Sequence, residues 1–122
     1  VKFAKKCEQA GVDVIVAEGF EAGGHNGFDE ITTMALTPQV VRAVNTPVVS
    51  AGGIADGNGF AAALALGAQG VQIGTRFMAT FESAAHDNVK EAVVHLADNG
   101  TSITGRTTVG PTRSIKNSFR YD

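Results

Sequence analysis

Three short apolar runs, VDVIVAEG, PVVSAGG and QGVQIGT, each reach a glycine at or near their end and are set apart by stretches of helical apolar spacing. Runs that are apolar at consecutive rather than alternate positions suit strands buried on both faces, the condition of a parallel sheet covered by helices. Parallel neighbours need crossover connections, so the order α-β-α-β-α-β-α predicts right-handed βαβ units and an α/β fold.

The helices are read from their ends. Residues 1–10 form a helical stretch stopped by Gly11, within which Cys7 is expected to face the core as a small residue. Thr37 can cap a second helix with Pro38 at its first position, running to Val44 and ended by Asn45, Thr46 and Pro47. Asp56 begins a third, whose Phe60, Ala61, Leu64 and Ala65 share one apolar face and which Gly67 closes in the left-handed conformation. A fourth spans residues 83–97, with Val89, Ala92, Val93 and Leu96 at helical spacing and Asn99-Gly100 at its end. The Thr-, Gly- and Arg-rich residues 101–122 read as a loop and a short terminal helix.

Two architectures build such units, a doubly wound sheet and a (β/α)8, or TIM, barrel. Every run here opens into a conspicuous glycine loop, AEGFEAGGHNG, AGGIAD or GTRF, which suits the barrel, where all functional loops gather on one face. A barrel of eight units takes about 250 residues. The 122 residues here therefore read as its C-terminal portion, about three βα units over residues 1–100, followed by a post-barrel segment, 101–122. The helical start at Val1 fits a piece of a longer protein.

Ten Lys and Arg against twelve Asp and Glu give a net charge of -2, so no global positive field exists to hold nucleic acid. Arg106, Arg113, Lys116 and Arg120 nevertheless gather near the end with Asp122 as their one acid, a candidate anion-facing edge or a solvated face. A single cysteine excludes an intrachain disulfide and fits a reducing, cytoplasmic setting. No stretch has the length of a membrane span, and the opening residues lack a secretory-signal layout. Zinc chemistry lacks ligands, with one cysteine and three scattered histidines.

The chemistry lies in the loops. Gly52-Gly53 and Gly74-Thr75 follow adjacent strands, with a spacing of 21 residues, one βα unit, from Gly53 to Gly74. Glycine lets backbone amides approach a phosphate, and a following helix N-terminus adds a favourable dipole, so the pair reads as a phosphate clamp at a barrel mouth. His25, in EAGGHNG, follows another strand end, where an imidazole held by a shaped backbone can act as general base or acid. Glu18 and Glu21 could orient a ligand, a loop amide or His25, or could be structural. His86 and His95 read as surface or packing residues of the last helix.

AEGFEAGGHNG and VVSAGGIADGNGFAAALALGAQGVQIGTRFMAT resemble the nitronate monooxygenase (2-nitropropane dioxygenase) family of FMN-dependent barrels, over about residues 1–100. Similar blocks recur in flavin-type enoyl-acyl-carrier-protein reductases, and the tail RSIKNSF and Glu18 resemble that branch more closely. The resemblance implies FMN held by Gly52, Gly53, Gly74 and Thr75 with Gln72 nearby, His25 as the catalytic histidine, and Glu21, Gly23 and Gly24 in the substrate-side loop. It implies oxidation of an alkyl nitronate by flavin and then O2, giving a carbonyl compound and nitrite. The reductase alternative implies NAD(P)H as reductant and an enoyl thioester substrate. A small-molecule substrate and a homodimer accord with either, and a noncatalytic fragment is the third reading.

Overall fold

The computed structural model describes residues 1–118. Helix α1 (Lys2–Gln9) leads into strand β1 (Ile15–Glu18), and a two-residue strand β2 (Gly24–His25) follows. Helix α2 (Thr33–Val41), β3 (Val48–Ala51), α3 (Gly57–Ala65) and β4 (Gly70–Gln72) complete two crossover units. Short α4 (Thr75–Met78), α5 (Asp87–Val94) and strands β5 (Thr101–Thr104) and β6 (Thr112–Ile115) close the described chain.

The three expected strands form one parallel sheet in the order β1-β3-β4, with Ile15 opposite Val48 and Val49 opposite Gly70. Strand order follows chain order with no reversal, as along the wall of a barrel and unlike the switch point of a doubly wound sheet. Helices cover one face. Ile15, Ala17 and Val48 pack there with Ala4 and Val40, and Ile54, Ala63 and Ala68 form a second cluster. The expectation of burial on both faces is corrected, because β1 alternates and Val14 and Val16 stay 48% and 47% exposed. That face would be the interior of a closed barrel, which is filled by side chains from strands all around the ring.

The glycine and aspartate signals act locally and as expected. Asp56 Oδ1 accepts from Gly59 N at 2.9 Å, capping α3, and Gly67 takes φ +95 just beyond it. The face of α3 is corrected: Ala63 is buried, while Phe60 and Leu64 are exposed. Cys7 is likewise exposed rather than core-facing. Helix α1 turns Ala4 and Glu8 inward instead, because the Glu8 carboxylate accepts from the amides of Asn45 and Thr46 and from the Thr46 hydroxyl. Those bonds favour the carboxylate and lower the Glu8 pKa.

Helix α2 begins four residues earlier than Thr37, after Thr32, and holds Pro38 in its interior. Thr37 is fully buried, and its hydroxyl meets the buried Ser50 hydroxyl on β3 at 2.7 Å. The helix 83–97 shortens to α5, with His86 as its N-cap accepting from Asn88 N and His95 just beyond its end, both exposed. Residues 101–115 hold two strands rather than a loop, while Arg120 and the end of the expected terminal helix lie outside the described residues. Among the described residues no helix is long and apolar enough to cross a membrane.

Two outcomes follow from this packing. Thr37→Val leaves the Ser50 hydroxyl without its partner and is expected to cost about 1–3 kcal/mol in denaturant unfolding, with much of the loss recovered in the double variant Thr37→Val/Ser50→Ala. The 122 residues expressed alone, with outer edges of β1 and β4 unpaired in the parallel sheet, are expected to self-associate in light scattering. A monodisperse monomer with a cooperative thermal transition would contradict this.

Candidate functional site

The C-terminal ends of β1, β3 and β4 open onto one cavity of about 660 Å³. Of the residues singled out from sequence, it brings together Glu18, Glu21, Gly23, Gly24, Gly52, Gly53, Gln72, Gly74 and Thr75. Gly52 and Gly53 take φ +99 and +70 in succession, and a Cβ on them would stand 2.8 Å from the Gly19 carbonyl and 2.9 Å from Glu21 Cβ. Only glycine therefore lets this turn lie flat against residues 19–22. Nothing lies within 4 Å of where a Cβ would stand on Gly74, and a Cβ on Gly23 would come 3.8 Å from Thr75 Oγ1. The three glycine loops thus meet. Among the described residues the amides of Gly53, Gly74 and Thr75 find no hydrogen-bond acceptor. Unpaired amides beside open, Cβ-free space suit a phosphate.

Glu21 is an anchor. Its two carboxylate oxygens accept from Thr33 N at 3.1 and 2.9 Å, and Oε2 lies 3.0 Å from Thr33 Oγ1. Thr33 Oγ1 also lies 2.8 Å from the Gly52 carbonyl and 3.3 Å from that of Ala51, so its single proton has acceptors both in the loop after β1 and at the end of β3. The carboxylate is engaged with the first turn of α2, and no bond joins it to His25.

His25 lies on β2, inside a second sheet of order β2-β6-β5 that sequence reading did not foresee. It pairs with Thr112, while Gly24 pairs with Arg113. Successive strand residues face opposite sides, so Gly24 and Arg113 face the cavity they line, and exposed His25 belongs to the other face. Asn26 locks the turn, with Nδ2 donating to the Ala22 and Gly24 carbonyls at 3.0 and 3.1 Å.

Arg113 is the functional candidate that the sequence signalled only as one of four clustered cations. Its Nε and Nη2 donate to the Phe20 carbonyl at 3.2 and 3.0 Å, its Nη1 donates to Thr101 Oγ1 at 3.0 Å, and its guanidinium stacks 5.3 Å from the Phe20 ring centre. Arg106 lies 6.0 Å from the same ring and pairs with Glu30, which lowers the Glu30 pKa and raises that of Arg106. The Thr-rich, β-prone residues on either side of Gly110-Pro111 are the signal that could have revealed the hairpin.

The family model for nitronate monooxygenase matches residues 1–121. The chain belongs to the nitronate monooxygenase family. Members of this family are flavin-dependent oxidoreductases. A probable nitronate monooxygenase of Staphylococcus saprophyticus is 46% identical over 92% of this chain and 34% of its own length. The nitronate monooxygenase of Paraburkholderia phytofirmans is 44% identical over 95% of this chain and, again, 34% of its own length. The chain thus spans about a third of these relatives. The structure of FabK from Thermotoga maritima superposes with a TM-score of 0.92 at 48% identity, covering 97% of this chain and 37% of that one. A nitroalkane oxidase from Streptomyces ansochromogenes gives 0.84 at 40% identity, covering 95% and 36%. These matches identify the parallel sheet as part of a TIM barrel, as its strand order indicated.

The Glu30–Arg106 pair makes the strap between residues 26–32 and the hairpin pH-dependent. Because the Glu30 pKa falls below its ordinary 4.5 on folding, the tether is in place above that value and is lost as pH falls through the lower, folded one. Hydrogen exchange of residues 27–31 in the full-length protein is expected to quicken over that acid range, and Arg106→Gln to quicken it already at neutral pH.

Proposed function

We propose that this chain supplies the phosphate-binding quarter and the catalytic histidine of an FMN-dependent enzyme that oxidises alkyl nitronates with O2 to a carbonyl compound and nitrite. The observation that carries the reading is the meeting of Gly23-Gly24, Gly52-Gly53 and Gly74-Thr75 around one cavity, where the amides of Gly53, Gly74 and Thr75 are unpaired among the described residues. The residues present fit the group: Gly53, Gly74 and Thr75 offer N–H donors to its phosphate, the Thr75 hydroxyl offers another, and Gln72 stands at the end of the intervening strand. When bound, FMN supplies the two-electron redox chemistry.

The chain's own residues do the rest. The Glu21–Thr33 anchor holds the loops against each other without a charged group having to move. A His25 ring nitrogen takes the proton from the carbon of a neutral nitroalkane, a step the nitronate anion does not need. The β2–β6 pairing fixes that histidine on the edge strand of the small sheet, one residue past Gly24 of the cavity lining and outside that lining itself. A cytoplasmic setting and a homodimer belong to this reading as well.

The second reading is an NAD(P)H-dependent flavin enoyl reductase. Its specific support is the TM-score of 0.92 to enoyl reductase-like FabK, together with the tail RSIKNSF.

The test uses the full-length protein, purified with its visible spectrum recorded. Under the first reading it is yellow, is reduced anaerobically by a nitronate and ignores NAD(P)H; rapid bleaching by NAD(P)H alone selects the reductase, and failure to take up FMN overturns both. His25→Asn is expected to lower kcat/KM for a neutral nitroalkane by about 10²-fold or more, and that for its preformed nitronate far less. Equal losses on both substrates would remove the assigned proton transfer.

A further inference from the structure

Two arginines fastened to the same ring are treated differently. Arg106 is neutralised by Glu30, whereas every hydrogen bond of Arg113 among the described residues runs to a neutral oxygen, the Phe20 carbonyl or Thr101 Oγ1. Among the described residues Arg113 forms no ion pair. It is half-buried and lines the cavity with Arg76, while of the two cavity carboxylates Glu21 is engaged with Thr33. A cation partly withdrawn from water is costly unless negative charge comes to meet it.

The guanidinium is also held still with donors to spare. It has five N–H groups. Among the described residues Nε, Nη1 and Nη2 each use one, which leaves one on each Nη nitrogen. Its cross-strand partner is Gly24, and nothing lies within 4 Å of where a Cβ would stand there, so the space beside the Arg113 strand position is open. A fixed planar cation with two free donors on adjacent nitrogens matches a planar oxyanion that spreads one charge over two oxygens. A carboxylate has that shape, and so does a nitronate. The neutral nitroalkane and the enoyl thioester carry no such charge.

We infer that Arg113 is the specificity-determining residue that binds the nitro-group oxygens of an anionic nitronate, an inference that rests on the function proposed above. Phe20 and Thr101 serve it as positioning residues, presenting the guanidinium without cancelling its charge.

The test uses the full-length, flavin-loaded protein and isobutyrate, an unreactive carboxylate, followed through the flavin absorption spectrum. Wild type is expected to bind isobutyrate at least about 10-fold more tightly than the isosteric neutral isobutyramide, and equal affinities would overturn the inference without any variant. Arg113→Gln is expected to weaken isobutyrate binding and raise KM for a nitronate by about 10–100-fold, leaving flavin content and isobutyramide affinity unchanged. Loss of FMN from Arg113→Gln would instead give the residue to the flavin phosphate and overturn its role toward substrate. Carboxylate selectivity that depends on Arg113 in a protein that does not oxidise nitronates would support the anion site and sink the proposed reaction. Nitronate oxidation that is indifferent to Arg113→Gln would do the reverse.

Discussion

Thr33 stands where the site is held together. Its amide and hydroxyl engage the Glu21 carboxylate, its hydroxyl reaches the Gly52 carbonyl, and a side chain on Gly19 would collide with it. One residue at the start of α2 thereby fixes the loop after β1 against the loop after β3. The charge-assisted acceptor of the helix's first amide comes from residue 21, twelve positions earlier, so capping the helix and shaping the cavity are the same interaction. The left-handed turn at Gly52-Gly53 is the counterpart of this contact, since any Cβ there would force the two loops apart.

Local chemistry was legible in the sequence and long-range chemistry was not. The apolar runs that become strands, the Asp56 cap and the left-handed Gly67 are marked by residues within a few positions, and each is found where the spacing of residues indicates. The start of α2 was misread because Thr37-Pro38 mimics a helix start, whereas the real one is set by Glu21. Cys7 was misplaced for the same reason: a partner at Asn45 and Thr46 turns the Glu8 side of α1 inward. The glycine loops of the candidate site were readable because each follows its own strand. Their meeting in space, and the hairpin that brings Arg113 to them, depend on pairings across nearly ninety residues, such as Gly24 with Arg113.

The two sheets divide the labour physically. The parallel sheet buries its apolar residues against helices on one face and supplies the backbone turns that frame the cavity. The small antiparallel sheet is polar, rich in threonine, and gains its place through hydrogen bonds and arginine–aromatic stacking on Phe20 rather than through a core. Such a layer is legible only weakly in hydropathy, since it has little apolar pattern to display. Its strands nevertheless bring Arg113 into the cavity lining and carry His25 on the opposite face.

The pairing of Gly24 with Arg113 and of His25 with Thr112 also limits how this loop can change length. Inserting one residue between Phe20 and Gly24 would slide β2 by one place along β6, exchanging the faces of the imidazole and the glycine. A side chain would then press on the guanidinium side and the histidine would enter the cavity. Length variation in this loop is therefore tolerated in steps of two, or in the stretch beyond Asn26, and parity acts as a constraint that no single side chain reveals.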